Sequence, residues 1–193
     1  MSLRFVLLFV LSIICLAIPT WADFQAGMEA NDREDYATAL REWQPLAERG
    51  DALAQYNLGL LYRKGRGVPQ DDVQAAKWYA KAAAQGLAKA QFSLGTLYFN
   101  GEGVAKDYQH AMRWFRLAAD QGEAVAQTKI AIMYDEGQGV PKNIIQAYKW
   151  ISLAATNGDK PAPLLRDSLA NQMTPAQIAK AQALAKEWKP KGK

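Results

Sequence analysis

Histidine and cysteine, the side chains that most often serve as metal ligands or nucleophiles, occur once each in this sequence of 193 residues. A single histidine cannot form a two-histidine metal site, and a single cysteine forms neither an intramolecular disulfide nor a four-thiolate zinc site. The histidine, His110, stands in a repeated pattern at a position that glutamine holds in the neighbouring units. This favours a role in helix structure over catalysis, and we expect neither a metal nor a cofactor.

The serines and the glycine-rich loops also lack the neighbours that catalysis or phosphate binding requires. No serine begins a Ser-Xaa-Xaa-Lys run, and no Gly-Xaa-Ser-Xaa-Gly elbow occurs, so the main serine acyl-enzyme motifs are absent. The loop at residues 65–67 lacks the Gly-Lys-Ser/Thr that completes a P-loop. The acidic run at residues 32–35 lacks the glycine and the spaced oxygens of a calcium loop. These absences predict a protein that is not an enzyme.

The first 22 residues have the order of a secretory signal peptide. A basic start at residues 1–4 precedes an apolar run over residues 5–18, and small residues then stand before Asp23. The run is shorter than the roughly 20 apolar residues that span a bilayer. We therefore expect cleavage after Ala22 and export, to a periplasm or to the outside of the cell, with an uncleaved anchor as the alternative. Lipidation of Cys15 is not expected, because Ile14 precedes it where a small residue is required.

A period of 36 residues organises the chain into units at residues 51–86, 87–122 and 123–158. The units align without a gap and share columns of identical residues. These columns are Tyr62, Tyr98 and Tyr134; Ala75, Ala111 and Ala147; Trp78, Trp114 and Trp150; and Ala82, Ala118 and Ala154. We expect residues 23–50 to form an atypical N-terminal repeat, and residues 159–193 to hold capping helices and a basic tail.

The pattern within each unit predicts two helices. In the first unit, apolar residues follow helical spacing over residues 52–64, and Gly65 can end that helix in the left-handed conformation. Asp71 can cap the second helix, and Gln74 stands where a capping-box side chain would reach back. Gly59 is expected to let the paired helices approach closely, with tryptophan and tyrosine rings between pairs.

The flanking segments continue the pattern in altered form. We expect a helix over residues 36–49 whose partner is a shortened helix near residues 24–30. After the third unit, residues 161–171 predict a first helix, and residues 174–177 are a strong start for another. Because each unit exposes an apolar face that only a neighbour can cover, the chain is expected to be all-α, with about ten helices stacked in a right-handed α-α superhelix.

These columns resemble the Sel-1-like repeat family, a branch of the tetratricopeptide-like α-solenoids. The matching features are Leu58-Gly59, Tyr62, the Gly-Xaa-Gly-Val loop, Ala75, Trp78, Ala82 and Gly86, with Ala131 as the one departure at the helical glycine. The resemblance implies a solenoid that serves as an adaptor or scaffold for other proteins. Exported bacterial members of the family take part in envelope signalling, secretion or host contact. Cysteine-rich members described as binding or hydrolysing β-lactams have paired cysteines that this chain lacks, so that activity is not carried over.

A binding groove is expected where the first helices line the inner curve, because these positions differ from unit to unit. They are Tyr56, Asn57, Arg63 and Lys64 in the first unit; Lys89, Phe92, Ser93, Thr96, Phe99 and Asn100 in the second; and Lys129, Asp135 and Glu136 in the third. The order runs from basic through aromatic and polar to acidic. We expect another protein or a peptide to bind there, with Tyr56, Phe92 and Phe99 as anchors; the alternative is an ordinary solvated surface.

Charge and export limit the other partners. Nucleic acid is not expected, because the groove is mixed in sign and the formal net charge is only +4. The basic tail from Met173 onward could touch an anionic membrane or an acidic partner, although a solubilising cap is the simpler interpretation. We expect no stable membrane insertion after cleavage, and a monomer or weak homodimer. The alternative function is an envelope glycan-binding protein or hydrolase, related to peptidoglycan or β-lactams.

Overall fold

The computed structural model describes residues 21–191, with side chains from Asp23 onward. These residues form ten helices and no strand, as the repeat pattern predicts. The helices are α1 (Trp21–Asp32), α2 (Tyr36–Glu48), α3 (Ala52–Lys64), α4 (Asp72–Ala84), α5 (Ala88–Asn100), α6 (Tyr108–Asp120), α7 (Ala124–Glu136), α8 (Ile144–Thr156), α9 (Ala162–Ala170) and α10 (Pro175–Glu187). The expected signal peptide lies outside the described residues, except that its last two residues begin α1.

The helices stack in the order of the chain. Four pairs, α1 with α2, α3 with α4, α5 with α6 and α7 with α8, make the most extensive contacts, and the second helix of each pair packs on the first helix of the next. Helices α9 and α10 both cover α8. Each unit therefore packs first within its own helix pair and then against the next unit along the chain, which is the arrangement of an α-helical solenoid.

The edge helices differ from their predicted lengths. α1 has 12 residues, nearly the 13 of α3, so the expectation of a shortened helix near residues 24–30 is wrong. The part that is short is the turn, which spans residues 33–35 where the next unit uses residues 65–71. Glu34 supplies the positive φ, 61°, that glycine supplies in the full units. α9 has only nine residues and lies inside the predicted range 161–171.

The predicted helix caps are confirmed. The carboxylate of Asp71 accepts a hydrogen bond from the backbone N–H of Gln74 at 2.9 Å, and Asp107 and Asn143 cap α6 and α8 in the same way. Gly65 ends α3 with φ at 63°, in the left-handed region that favours glycine. The second helix of each unit is therefore held at its N-terminus by a side chain and joined to the first by a fixed turn.

The reciprocal capping box forms at α10, where the N–H of Thr174 donates to Oε1 of Gln177 at 2.8 Å. The capping boxes that the pattern suggested at Gln74 and His110 do not form, because the N–H groups of Asp71 and Asp107 already donate to carbonyls of the preceding helix. Nδ1 of the His110 ring lies 2.7 Å from Oδ2 of Asp107 instead. The histidine therefore supports the helix start through a side-chain contact.

Glycine in the first helix makes room for a ring within the same unit. A Cβ on Gly59 would lie 2.5 Å from the ring of Tyr79, and one on Gly95 would lie 2.8 Å from the ring of Phe115. The third unit has Ala131 at the glycine position, and the aliphatic Ile151 takes the place of the aromatic Tyr79. The departure from glycine in that unit is therefore matched by a change in its partner column.

The tryptophan column is less buried than its regularity suggests. Trp78 and Trp114 are half-buried, whereas Trp150 is fully buried. The difference follows from α10, whose neighbouring Trp188 lies 6.1 Å from the ring of Trp150. On the second helices, the two alanine columns and Tyr79 are thus fully buried, whereas tryptophan is fully buried in only one unit of three.

A ladder of buried amides joins the units and was missed in the sequence analysis. Nε2 of Gln55 donates to the carbonyl of Ala47 at 2.9 Å, and Gln85 donates to Oε1 of Gln55 at 2.8 Å. The same bonds recur in the next two units. They involve Gln91 with Ala83 and Gln121, and Gln127 with Ala119 and Asn157. The signal for this ladder was the glutamine column at positions 55, 91 and 127.

Candidate binding groove

The first helices α1, α3, α5, α7 and α9 follow one another along the solenoid, and we call the surface that they share the first-helix face. Four gaps separate them. Most of the predicted groove residues are half-buried on this face. Tyr56, Asn57, Arg63, Phe92, Thr96, Phe99, Lys129 and Asp135 are half-buried; Lys64, Lys89, Asn100 and Glu136 are exposed; and Ser93 is buried. What distinguishes the gaps is whether the chain's own side chains fill them.

The α3/α5 gap is closed by an ion pair. Nη2 of Arg63 lies 2.9 Å from Oε2 of Glu102, which stands in the loop after α5. The amide of Asn100 donates to the other carboxylate oxygen of Glu102 at 2.8 Å. Glu102 was not among the predicted groove residues, because its loop position holds arginine in one neighbouring unit and glutamine in the other.

Beneath this ion pair, Tyr56 is part of the packing. Its ring lies 5.7 Å from the ring of Tyr79, which is fully buried. Burial raises the pKa of the Tyr56 phenol and of the Tyr79 phenol above their ordinary value, because the charged form would lose its hydration. One side of the Tyr56 ring is therefore already covered by its own unit.

Aromatic rings and a lysine close the α5/α7 gap. The ring of Phe99 lies 5.2 Å from Tyr108 in an edge-on arrangement and 6.3 Å from Phe115. Nζ of Lys129 lies over the Phe99 ring, 5.5 Å from its centre. Phe92 packs against Phe115 at 5.7 Å. Two of the three predicted anchors thus occupy space between or beneath helices of their own chain.

The α1/α3 gap is open. It forms a cleft with about 560 Å³ of space free of protein atoms, partly open to solvent, with an apolar floor and a polar rim. The floor consists of Met28, Trp43, Leu60 and Leu61, and the rim of Asn31, Asn57, Lys64 and Arg66. Within the described part of the chain, neither Lys64 nor Arg66 forms an ion pair with a carboxylate.

The α7/α9 gap is also open and more apolar. About 370 Å³ of it is free of protein atoms and partly open to solvent, and the carboxylate of Asp135 and two uncharged polar residues stand at its edge. Its lining residues are Ala131, Ile132, Asp135, Ile151, Leu165, Ser168, Leu169 and Gln172. The α9 residues were missed as groove residues, because α9 follows the last full repeat and lacks its column pattern.

The lone histidine contacts a helix cap and an aromatic ring. His110 is exposed, and its ring stacks on Tyr98 at 5.2 Å. Hydrogen bonds from the backbone N–H of His110 and from its side chain hold the pKa of the Asp107 carboxyl below its usual value. Over residues 21–191, no group of three or more histidine, cysteine or acidic side chains is placed to hold a metal ion. In the same range, no helix has both the length and the apolar character needed to cross a membrane.

Comparison with known proteins identifies the repeats. The Sel1 repeat family matches residues 52–87, 88–123 and 124–159. A Sel1 repeat protein from Oxalobacter formigenes has a similar structure, with 33% identity, a TM-score of 0.73, and coverage of 85% of this chain and 70% of that one. No curated protein matches the chain.

Two further solved structures are similar. The protective antigen c5321 of uropathogenic Escherichia coli, which displays an SLR fold, is 28% identical with a TM-score of 0.61. The match covers 87% of this chain and 45% of that antigen, so the chain spans less than half of its length. Helicobacter pylori cysteine rich protein B is 22% identical with a TM-score of 0.55, covering 67% of this chain and 96% of that one, a likeness of fold alone.

Sel1 repeat proteins generally act as non-catalytic scaffolds for protein interactions. The expectation of an adaptor or scaffold agrees with this. The three family matches together span more than half of the chain, and the Oxalobacter structure shares its fold at an identity above 30%. The resemblance drawn from the repeated columns is therefore confirmed, and the chain belongs to the Sel1 repeat family.

Proposed function

We propose that this protein is an exported, non-catalytic adaptor that binds a segment of another protein along its first-helix face. The observation that carries the proposal is the difference between the gaps. The two middle gaps are filled by Arg63 with Glu102 and by Phe99 with Lys129, whereas the two end gaps are open cavities. Two open anchor sites on one face fit an extended partner that crosses the filled centre.

The distance between the end gaps sets the length of that partner. Neighbouring helices pack at about 10 Å, so three spacings separate the two gaps by about 30 Å. An extended chain advances about 3.3 Å per residue, so about nine residues reach from one gap to the other. Export is the part of the proposal that depends on the signal-like order of residues 1–22.

The α7/α9 gap supports an apolar anchor. Ile132 and Leu165 line it with half-buried or exposed aliphatic surface, and Leu164 on the same short helix is 77% exposed. Exposed aliphatic surface beside a cavity is typical of a site that another protein covers. The carboxylate of Asp135 at the edge can accept a hydrogen bond from the partner's backbone or side chain.

The test places a large charged side chain in this gap without disturbing the packing. Ser168 is exposed and lines the gap, so Ser168→Arg should block it. Ala183→Arg adds the same charge at an exposed position of α10 and is the matched control. The full chain and both variants are used as baits in an envelope extract, after circular dichroism has shown equal folding.

A protein captured by the wild type and by Ala183→Arg but lost by Ser168→Arg would support the proposal. Equal capture by all three baits would contradict it, and so would the absence of any protein captured by the wild type. Alanine substitutions at Tyr56, Phe92 and Phe99 are a poorer test, because these rings pack against their own helices and their loss would weaken the fold.

A further inference from the structure

The α3/α5 gap contains a carboxylate of this chain in a well-defined binding arrangement. Glu102 is held by the guanidinium of Arg63 at 2.9 Å and by the amide of Asn100 at 2.8 Å. Charge-assisted hydrogen bonds of this kind are among the stronger ones, because donor and acceptor carry opposite charges. The gap therefore shows which donors at these repeat positions hold a carboxylate.

The α1/α3 gap has donors at the equivalent positions but no carboxylate. Arg66 stands one period before Glu102, and Lys64 stands one period before Asn100. Gly27 faces the ring of Trp43 as Gly59 faces the ring of Tyr79, so Asn31 takes the place of Arg63. The two residues are less than one period apart because the turn after α1 is shorter. Asn31, Lys64 and Arg66 all line the cavity, and no described carboxylate pairs with either cation.

Two further contacts prepare these donors for a ligand. The guanidinium of Arg66 lies 4.9 Å from the centre of the Tyr36 ring, which limits the movement of this side chain at the rim. The amide of Asn57 donates only to the sulfur of Met28, at 3.6 Å. A thioether is a weak acceptor, so a carboxylate would be a better partner for this amide.

The floor of the same cavity requires an apolar group beside the carboxylate. Trp43 and Leu61 are buried there, and Met28 and Leu60 contribute half-buried aliphatic surface. An aspartate or glutamate side chain would place a carboxylate at the rim but leave this floor uncovered. A C-terminal leucine or phenylalanine carries both groups on one residue, with its side chain and its carboxylate only a few bonds apart.

We propose that the α1/α3 gap binds the last residue of the partner segment, an apolar residue with a free C-terminal carboxylate. Lys64 and Arg66 neutralise the carboxylate, the amides of Asn31 and Asn57 donate to it, and the side chain covers the apolar floor. The inference rests on the proposed function and adds a direction to it. The partner's C-terminus lies at α1, and its preceding residues extend towards α9.

The test uses five-residue probes that are too short to reach the α7/α9 gap. They are N-terminally labelled Ser-Ala-Ser-Ala-Leu and Ser-Ala-Ser-Ala-Phe as free acids, the same peptides as C-terminal amides, and the amide of Ser-Ala-Ser-Glu-Leu. Fluorescence polarisation measures their binding to the full chain. One set of charge-assisted hydrogen bonds corresponds to about ten-fold in affinity, so at least one acid should bind about ten-fold more tightly than its amide.

The variant K64Q/R66Q should reduce binding of the acid to the level of the amide. The control R113Q/K180Q removes one arginine and one lysine from exposed positions elsewhere and should preserve the difference. Raising the salt concentration should weaken binding of the acid more than that of the amide.

Three results would overturn the inference: no binding of either acid, equal binding of acids and amides, or an acid preference that K64Q/R66Q retains. Equal binding of the glutamate-containing amide would also overturn it, by assigning the site to an internal acidic side chain. Failure here is distinguishable from failure of the proposed function. A partner lost by Ser168→Arg but retained by K64Q/R66Q would keep the adaptor and remove the C-terminal site.

Discussion

The middle and the ends of the first-helix face use the same repeat positions for different purposes. At the α3/α5 gap the loop position after the first helix holds Glu102, which closes the gap with Arg63. At the α1/α3 gap that position holds Arg66, and the gap stays open. A change of side chain at one repeat position can thus turn an internal contact into a surface that an outside ligand can use.

The amide ladder of Gln55, Gln91 and Gln127, which we call the inner layer, does not follow this division. Gln55, Gln91 and Gln127 make the same pair of hydrogen bonds in all three units, whether the gap above is open or filled. The solenoid is therefore held by a uniform inner layer and carries a varied outer one. Variation on the face is tolerated because the inner layer fixes the helix positions.

The largest effect on stability is expected in the inner layer. Replacing Gln55, Gln91 or Gln127 by leucine removes both hydrogen bonds of a buried side-chain amide. At about 1.5 kcal/mol for each bond, each change should cost about 3 kcal/mol. The three costs should be alike, because the gap above does not matter to these bonds. Urea unfolding of each variant measures this.

Gln121→Ala is the control for the ladder, since Gln121 is exposed and water can replace its partners. Its cost should be about 1 kcal/mol. A cost for Gln55→Leu far below that of Gln91→Leu would show that the inner layer also differs between the end and the middle.

Filling a middle gap should contribute less, but measurably. Phe99→Ala removes a half-buried ring that contacts Tyr108 and Phe115, and it should lower the free energy of unfolding by about 2 kcal/mol. The same repeat position at the open α7/α9 gap holds Asp135, and Oδ1 of this residue lies 3.9 Å from Nζ of Lys142. Asp135→Ala should cost less than about 0.5 kcal/mol, as expected for an exposed ion pair. Equal losses would contradict the division between middle and end.

The ion pair of the α3/α5 gap should contribute less again. Arg63 and Glu102 are 30% and 39% exposed, so water screens their attraction. A double-mutant cycle with Arg63→Gln and Glu102→Gln should give a coupling below about 1 kcal/mol, and the coupling should fall as salt is added. A salt-independent coupling of several kcal/mol would mean that this gap is held as firmly as the inner layer.

The sequence predicted the fold in detail because the residues that cap helices, form turns and pack in the core recur in all three units. The cap at Asp71 and the left-handed Gly65 are local features with a physical requirement at one position, and both were predicted correctly. The length of α1 was predicted wrongly, because it depends on a shortened turn. In that turn Glu34 has the positive φ, and no glycine marks the position in the sequence.

The groove was harder to predict than the fold, because contacts between units decide it. Phe99 looks like an exposed anchor in its own helix, and only the position of Tyr108 and Lys129 around it shows that its ring fills a gap. The cation at position 66 and the carboxylate at position 102 belong to one column, yet their roles depend on which neighbour each one meets. Helix periodicity carries no information about such pairs.

The smallest effect on stability is expected where the effect on binding is largest. Ser168→Arg lies in an open gap, loses no hydrogen bond of its side chain among the described residues, and introduces a residue with good helix propensity. Its free energy of unfolding should stay within about 0.5 kcal/mol of the wild type. Thermal unfolding followed by circular dichroism measures this directly, with Ala183→Arg alongside.

A large loss of stability in Ser168→Arg alone would show that the α7/α9 gap cannot admit a side chain without displacing α9. The gap would then be a loosely packed part of the fold, and the end of the solenoid would resemble its middle. Unchanged stability with lost partner capture has the opposite meaning. It would show that the gap accepts foreign atoms at no cost to the fold, as a binding site must, because the packing of α9 on α8 already holds that helix in place.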